Sequence, residues 1–192
     1  MTWLAAGVVD PAREFPRKWG SPPAFALNDT LGIPSDYGKS RNLAPQAEAT
    51  ELVPIGCNPD GRVIQLSPAA AAAWTRMRDD ASRAGVALVA ISGFRSIERQ
   101  AEIVRSKLSA GQAIEAILRT VAAPGYSEHH TGRAIDIGFP GQEPLIEEFD
   151  ETPAFQWLEL NAGGYGFVLS YPRGNSHGIA YEPWHWCFQA PI

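Results

Sequence analysis

Cysteine is nearly absent from this 192-residue sequence, with Cys57 and Cys187 the only two. Two thiols allow one disulfide or none, and neither sits in a Cys-x-x-Cys knuckle, so a zinc ribbon is excluded. An excess of basic charge is missing as well. Lys and Arg number 16 against 21 Asp and Glu, a formal net charge of -5, which lacks the positive footprint needed to hold nucleic acid phosphates. No nucleic acid partner is expected. No apolar run approaches the roughly 18 residues that span a bilayer, so an integral membrane protein is not expected either. The opening residues Met1 to Asp10 carry no basic n-region, and no signal peptide is expected in the chain as given. Internal repeats are absent, and the one biased tract, Ala69 to Ala73, is a strong helix former.

What remains is a chain with 45% hydrophobic and 19% charged residues, enough apolar material for one buried core. Residues 1–58 are rich in Pro, Gly, Asn and Asp, with Ser21-Pro22-Pro23 and Ile33-Pro34 interrupting them. They read as an irregular amino-terminal wrapping segment. Residues 59–192 read as the main folded domain. Within it, Arg62 to Leu66 alternates like a strand, and Ser67-Pro68 supplies a cap and a first-turn proline for a helix stopped by Gly85. Val86 to Ile91 is a continuous apolar run, expected to be a strand buried on both faces. Ser96 can cap a helix to Ser109, and a further helix is expected between Gly111 and Val121. Arg133 to Ile137 reads as a strand with Ala134 and Asp136 on one face. Thr152-Pro153 repeats the cap-plus-proline signal, and Gly166 to Tyr171 and Trp184 to Phe188 are rich in strand-forming residues. Short gaps between late strands favour antiparallel pairing. The class is α+β, a single domain with an antiparallel sheet and helices packed on one side.

Three of the four histidines fall in two short clusters, Ser127-Glu128-His129-His130-Thr131-Gly132-Arg133-Ala134-Ile135-Asp136 and Glu182-Pro183-Trp184-His185. Imidazole and carboxylate are zinc ligands, and a catalytic zinc takes three of them while leaving a position for water. Two histidines and an aspartate from these clusters meet that count. Water so activated still needs a base that is not itself a ligand, and Glu182 is the candidate. Residues three apart on a strand face opposite ways. Glu182 and His185 can therefore converge only if the chain bends at Pro183.

The spacing Ser127-x-His129-x-x-Gly132-x-Ala134-x-Asp136 followed by Glu182-Pro183-Trp184-His185 resembles the signature of VanY-type D,D-carboxypeptidases. That group also holds D-alanyl-D-alanine dipeptidases, phage L-alanyl-D-glutamate endolysins and the hedgehog signalling domain. Ser92-Gly93-Phe94-Arg95-Ser96 with Gln100, and Gly164 to Phe167 ahead of Tyr171-Pro172, are similar to further motifs of the family. The resemblance implies a hedgehog-like or D,D-peptidase-like fold with a zinc cleft across the sheet, and makes residues 59–192 its catalytic domain. It implies Zn2+ held by His129, Asp136 and His185, with Glu182 as base and Arg95 polarising the scissile carbonyl. Ser127 and Gln100 match positions that would line the substrate pocket; Trp184, an aromatic expected to pack, would wall the metal site beside it.

The implied reaction is hydrolysis of a peptide bond in the peptidoglycan stem peptide or its precursor, releasing the terminal D-alanine. An L-alanyl-D-glutamate endopeptidase and a non-catalytic zinc-stabilised binding module are the alternatives. The substrate would place the protein in the periplasm or cell wall, acting as a monomer. Glu128 is expected to be solvated and His177 to be a loop residue.

Overall fold

The computed structural model describes residues 22–189. The first helix, α1, spans Pro22–Thr30, and a single turn, α2, spans Tyr37–Ser40. These helices and the strand after them depart from the irregular segment expected over 1–58. Pro22 and Pro23 occupy the first helical turn, where a missing N–H costs nothing, so they start α1 instead of interrupting it. The remainder of that segment, residues 1–21, lies outside the described residues. Strand β1 (Val53–Cys57) pairs antiparallel with β2 (Val63–Leu66) across a turn at Asn58. Asn58 Oδ1 accepts from the Arg62 N–H at 2.9 Å. The hairpin therefore ties residues ahead of Asn58 to those beyond it.

Helix α3 (Pro68–Arg83) begins at the expected proline, and its Ala70, Trp74, Met77 and Ala81 form one fully buried stripe. Strand β3 (Val89–Ser92) follows, then α4 (Ile97–Ser109) and a one-turn α5 (Ile114–Ile117). Strand β4 (Ala134–Gly138), helix α6 (Pro153–Asn161) and strands β5 (Phe167–Leu169) and β6 (His185–Phe188) complete the domain. The four-stranded sheet has the order β3-β4-β6-β5, with every pair antiparallel. Strand β3 starts later than expected and is half-buried, because it forms a sheet edge instead of an interior position.

Alternation divides the central strands. Ile135 and Ile137 of β4, with Trp186 and Phe188 of β6, enter the main core against α3 and the Ala154, Phe155 and Leu158 of α6. Each large apolar side chain buried there contributes about 1.5–3 kcal/mol. Asp136 and His185 belong to the other set of positions and are direct cross-strand partners. A second cluster joins Leu31, Ile33 and Tyr37 of the amino-terminal segment to Ala101 and Val104 of α4 and Ile117 of α5. Both cysteines are free, Cys57 exposed and Cys187 buried.

Candidate metal centre and active site

Three local structures converge on one cleft. Ser127 leads into a 3-10 turn over Glu128–Thr131, which ends at Gly132 with a left-handed φ of 64° before β4 begins. That turn carries His129, β4 carries Asp136, and β6 carries His185. The three side chains are buried, and one ligand atom from each lies within 4.8 Å of the others.

The rings are oriented by what their remaining nitrogens touch. His129 Nδ1 lies 2.6 Å from the Gly93 carbonyl, leaving Nε2 at 3.3 Å from Asp136 Oδ2. His185 places Nδ1 3.1 Å from Asp136 Oδ1 and Nε2 2.9 Å from Glu128 Oε2. Tyr171 lies over the His185 ring with centroids 4.9 Å apart. Two imidazole nitrogens and a carboxylate facing one point, each imidazole tied at its far side, fit a divalent cation of the zinc type.

Electrostatics follow from burial and proximity. Burial opposes the charge on Asp136, but His129 and His185 outweigh it and hold this carboxyl well below its usual range. For His185 the balance runs the other way: burial disfavours its cation, yet Asp136 and Glu128 together push its pKa upward. In His129, desolvation dominates and lowers the pKa.

The bend at Pro183 is present, since the His185 N–H bonds to the Glu182 carbonyl at 3.0 Å. It brings the Glu182 carboxylate to 3.9 Å from His185 Nδ1. Burial raises the pKa of Glu182 to about 7, with His185 and Arg95 acting in the opposite direction. Arg95 Nη1 donates to Gln100 Oε1 at 2.9 Å, and its Nη2 approaches Asp136 Oδ2 at 3.9 Å. Gln100 also donates to the Ala122 carbonyl at 2.6 Å. Its amide is therefore committed to holding Arg95 and the loop, which makes it a support within the pocket it was expected to line.

All eight residues singled out in the sequence border one cavity of about 530 Å³, including the buried Ser127 and the half-buried Trp184. The cavity continues past them to Ile103, Lys107, Leu145 and Tyr181. Three neighbours were not anticipated. Lys107 shares the Gln100 face of α4 at a spacing of seven residues, a periodicity that could have revealed it. Tyr171 stood in the sequence only within a family motif that gave it no role, Glu128 carries no periodic signal, and Glu128 is drawn into the site by His185 instead of being solvated. His177 does lie in a loop, its Nδ1 3.1 Å from the Arg41 carbonyl.

A mixed domain with an antiparallel sheet and a buried His, Asp, His cluster beside a carboxylate and an arginine defines the class, that of the fold shared with the solved LdcB and VanY structures. Within it, the chain belongs to the VanY family, D-alanyl-D-alanine carboxypeptidase, whose model matches residues 63–191. It is 41% identical over 83% of its length to YodJ of Bacillus subtilis (strain 168), which is named only as a candidate carboxypeptidase. Among solved structures, the LdcB LD-carboxypeptidase shares 35% identity with a TM-score of 0.67, over 74% of this chain and 70% of that one. The vancomycin resistance D,D-pentapeptidase VanY, solved as a point mutant in complex with Zn(II), shares 28% identity with a TM-score of 0.59, over 76% of this chain and 83% of that one. The chain spans between 37% and 57% of the length of three curated relatives.

Proposed function

We propose that this protein is a zinc-dependent carboxypeptidase that removes the terminal D-alanine from peptidoglycan stem peptides. The observation that carries this reading is the convergence of one ligand atom each from His129, Asp136 and His185 within 4.8 Å, with the Glu182 carboxylate beside them. Support comes from the Zn(II) bound by the VanY relative and from the D-alanine-D-alanine bound by another, VanYB. His129, Asp136 and His185 would hold the ion. Zinc bound there supplies Lewis acidity toward the scissile carbonyl and the attacking water.

The chain's own groups supply the rest. Arg95, fixed by Gln100, presents a permanent cation where negative charge develops on the carbonyl oxygen. Glu182 takes a proton from the attacking water onto its carboxylate and returns it to the leaving amine nitrogen, so the base is regenerated as the peptide bond breaks. A pKa near neutrality suits both transfers. From Gln100 to Lys107 the cavity follows α4 for about 10 Å at 1.5 Å per residue. That length suits a peptide longer than a dipeptide. Assembled peptidoglycan lies outside the cytoplasm, and the periplasm or cell wall is the matching site of action.

A second reading is favoured by the likeness to LdcB, an LD-carboxypeptidase: removal of D-alanine from an L-configured neighbour. One assay separates these readings. Metal-free and zinc-reconstituted protein are incubated with a stem pentapeptide ending in D-alanyl-D-alanine and with the tetrapeptide lacking its last residue, and products are read by mass spectrometry. Zinc-dependent loss of one alanine from the pentapeptide alone is the expected result. Shortening of the tetrapeptide alone would establish the LD reading, cleavage near the amino end an endopeptidase, and no cleavage with zinc bound the binding module.

A further inference from the structure

We propose that Glu128 is a positioning residue that presents the Nδ1 atom of His185 to the metal site. This rests on the zinc reading above and extends it to a residue outside the ligand set.

The two ligating rings face the site through different nitrogens. His129 points Nε2 inward and anchors Nδ1 on the Gly93 carbonyl, while His185 points Nδ1 toward Asp136 and anchors Nε2 on Glu128 at 2.9 Å. An imidazole hydrogen-bonded at one nitrogen has its tautomer and ring angle fixed at the other. For His129 a neutral carbonyl does this. For His185 a full carboxylate does it, and that carboxylate is four-fifths buried by side-chain exposure.

Burying a carboxylate costs several kcal/mol unless a partner compensates it. Among the described residues no Lys or Arg lies within 4.0 Å of Glu128, and His185 is its single ionic partner. Ser170 and Cys187 flank the carboxylate. Its negative charge is therefore directed through the imidazole toward the point where the cation would sit, which increases the electron donation of Nδ1. Tyr171 closes the ring's open face. The 3-10 turn that supplies His129 thus supplies, one residue earlier, the group that aims His185.

The test measures metal binding without turnover. Zinc affinity, read by competition with a chromogenic chelator, should fall about 10- to 100-fold in Glu128→Gln, with the zinc-free variant keeping the wild-type far-ultraviolet circular dichroism. In wild-type protein loaded with zinc, nitrogen-15 spectra of the histidine rings should show His185 protonated at Nε2 and metal-shifted at Nδ1. That second measurement needs no variant and stands if Glu128→Gln does not fold. Wild-type zinc affinity in folded Glu128→Gln, or metal on His185 Nε2, would overturn the role of Glu128 alone. Failure of the wild type to bind one zinc, or undiminished binding by His185→Ala, would overturn the metal centre and this inference with it.

Discussion

Neighbouring histidines in this chain have unrelated surroundings. His129 faces the cleft, whereas His130 is fully buried behind it, its Nδ1 2.6 Å from the Arg95 carbonyl and its Nε2 accepting from the Gly125 N–H at 3.1 Å. Only a neutral imidazole protonated at Nδ1 satisfies both partners, and burial accordingly pushes its pKa down to about 4. Replacing His130 by Ala should destabilise the fold by about 3 kcal/mol, through a cavity and two unpaired backbone groups, while one zinc still binds. His129→Ala should instead abolish stoichiometric zinc with a smaller change in denaturation midpoint. Equilibrium unfolding and zinc titration of both variants check this pair, and an exchange of the two outcomes would move the ligand to His130. Glu182→Gln should lower kcat by at least about 10²-fold while zinc affinity stays near wild type. Unchanged hydrolysis in a steady-state assay would remove Glu182 from the reaction. At this scale the cleft's main side chains were readable because their spacing is local. Glu128 was not, since its carboxylate acquires meaning only from His185, 57 residues away.

Among the elements, the edge strand β3 shows how packing bears on the site. Gly93 follows it directly, and a Cβ there would lie 2.5 Å from the Gln65 carbonyl oxygen and 2.7 Å from Ile64 Cγ2. The absence of a side chain is what lets the chain after β3 close against β2. That same residue's carbonyl anchors His129. Gly93→Ala should therefore cost about 1–3 kcal/mol in denaturant unfolding. It should also weaken zinc binding, because the backbone must shift away from the imidazole. Destabilisation with zinc affinity intact would separate the two effects. Caps and prolines made α3, α4 and α6 legible: Ser96 accepts from the Arg99 N–H at 3.1 Å and Thr152 from the Phe155 N–H at 3.2 Å. Strand β1 and helix α1 were not legible. A proline reads equally as a breaker or a starter until its position in the turn is known, and β1 contains Pro54 and Gly56 at a register irregularity.

Across the whole molecule, the amino-terminal segment acts as a brace for the cavity wall. Arg41 donates to the Leu118 carbonyl at 2.7 Å and the Gly178 carbonyl at 2.8 Å, joining the two chain segments that lead to Thr120 and Ile179 on the cavity lining. The Glu48 carboxylate accepts from the Ile97 N–H at the start of α4. Arg41→Ala should reduce stability by about 2 kcal/mol, since hydrogen bonds from charged groups contribute about 1.5–3 kcal/mol. It should raise KM for the stem peptide more than it lowers kcat, because the wall and not the reacting groups is disturbed. A fall in kcat at constant KM would contradict that assignment. No sequence pattern announced this brace, for its partners are backbone carbonyls up to 137 residues distant.

The two-sided use of β4 has a consequence for how the protein can fail. Ile135 and Ile137 enter the core while Asp136 between them faces the cleft, opposite His185. A slip of one residue against β6 would turn a carboxylate into the apolar interior and an isoleucine toward the cleft. The misaligned sheet would lose its interior and its cleft in the same event. Correct strand alignment is thus enforced by the hydrophobic interior on behalf of the chemistry, and the number of competent cleft sites in a preparation equals the number of correctly aligned sheets.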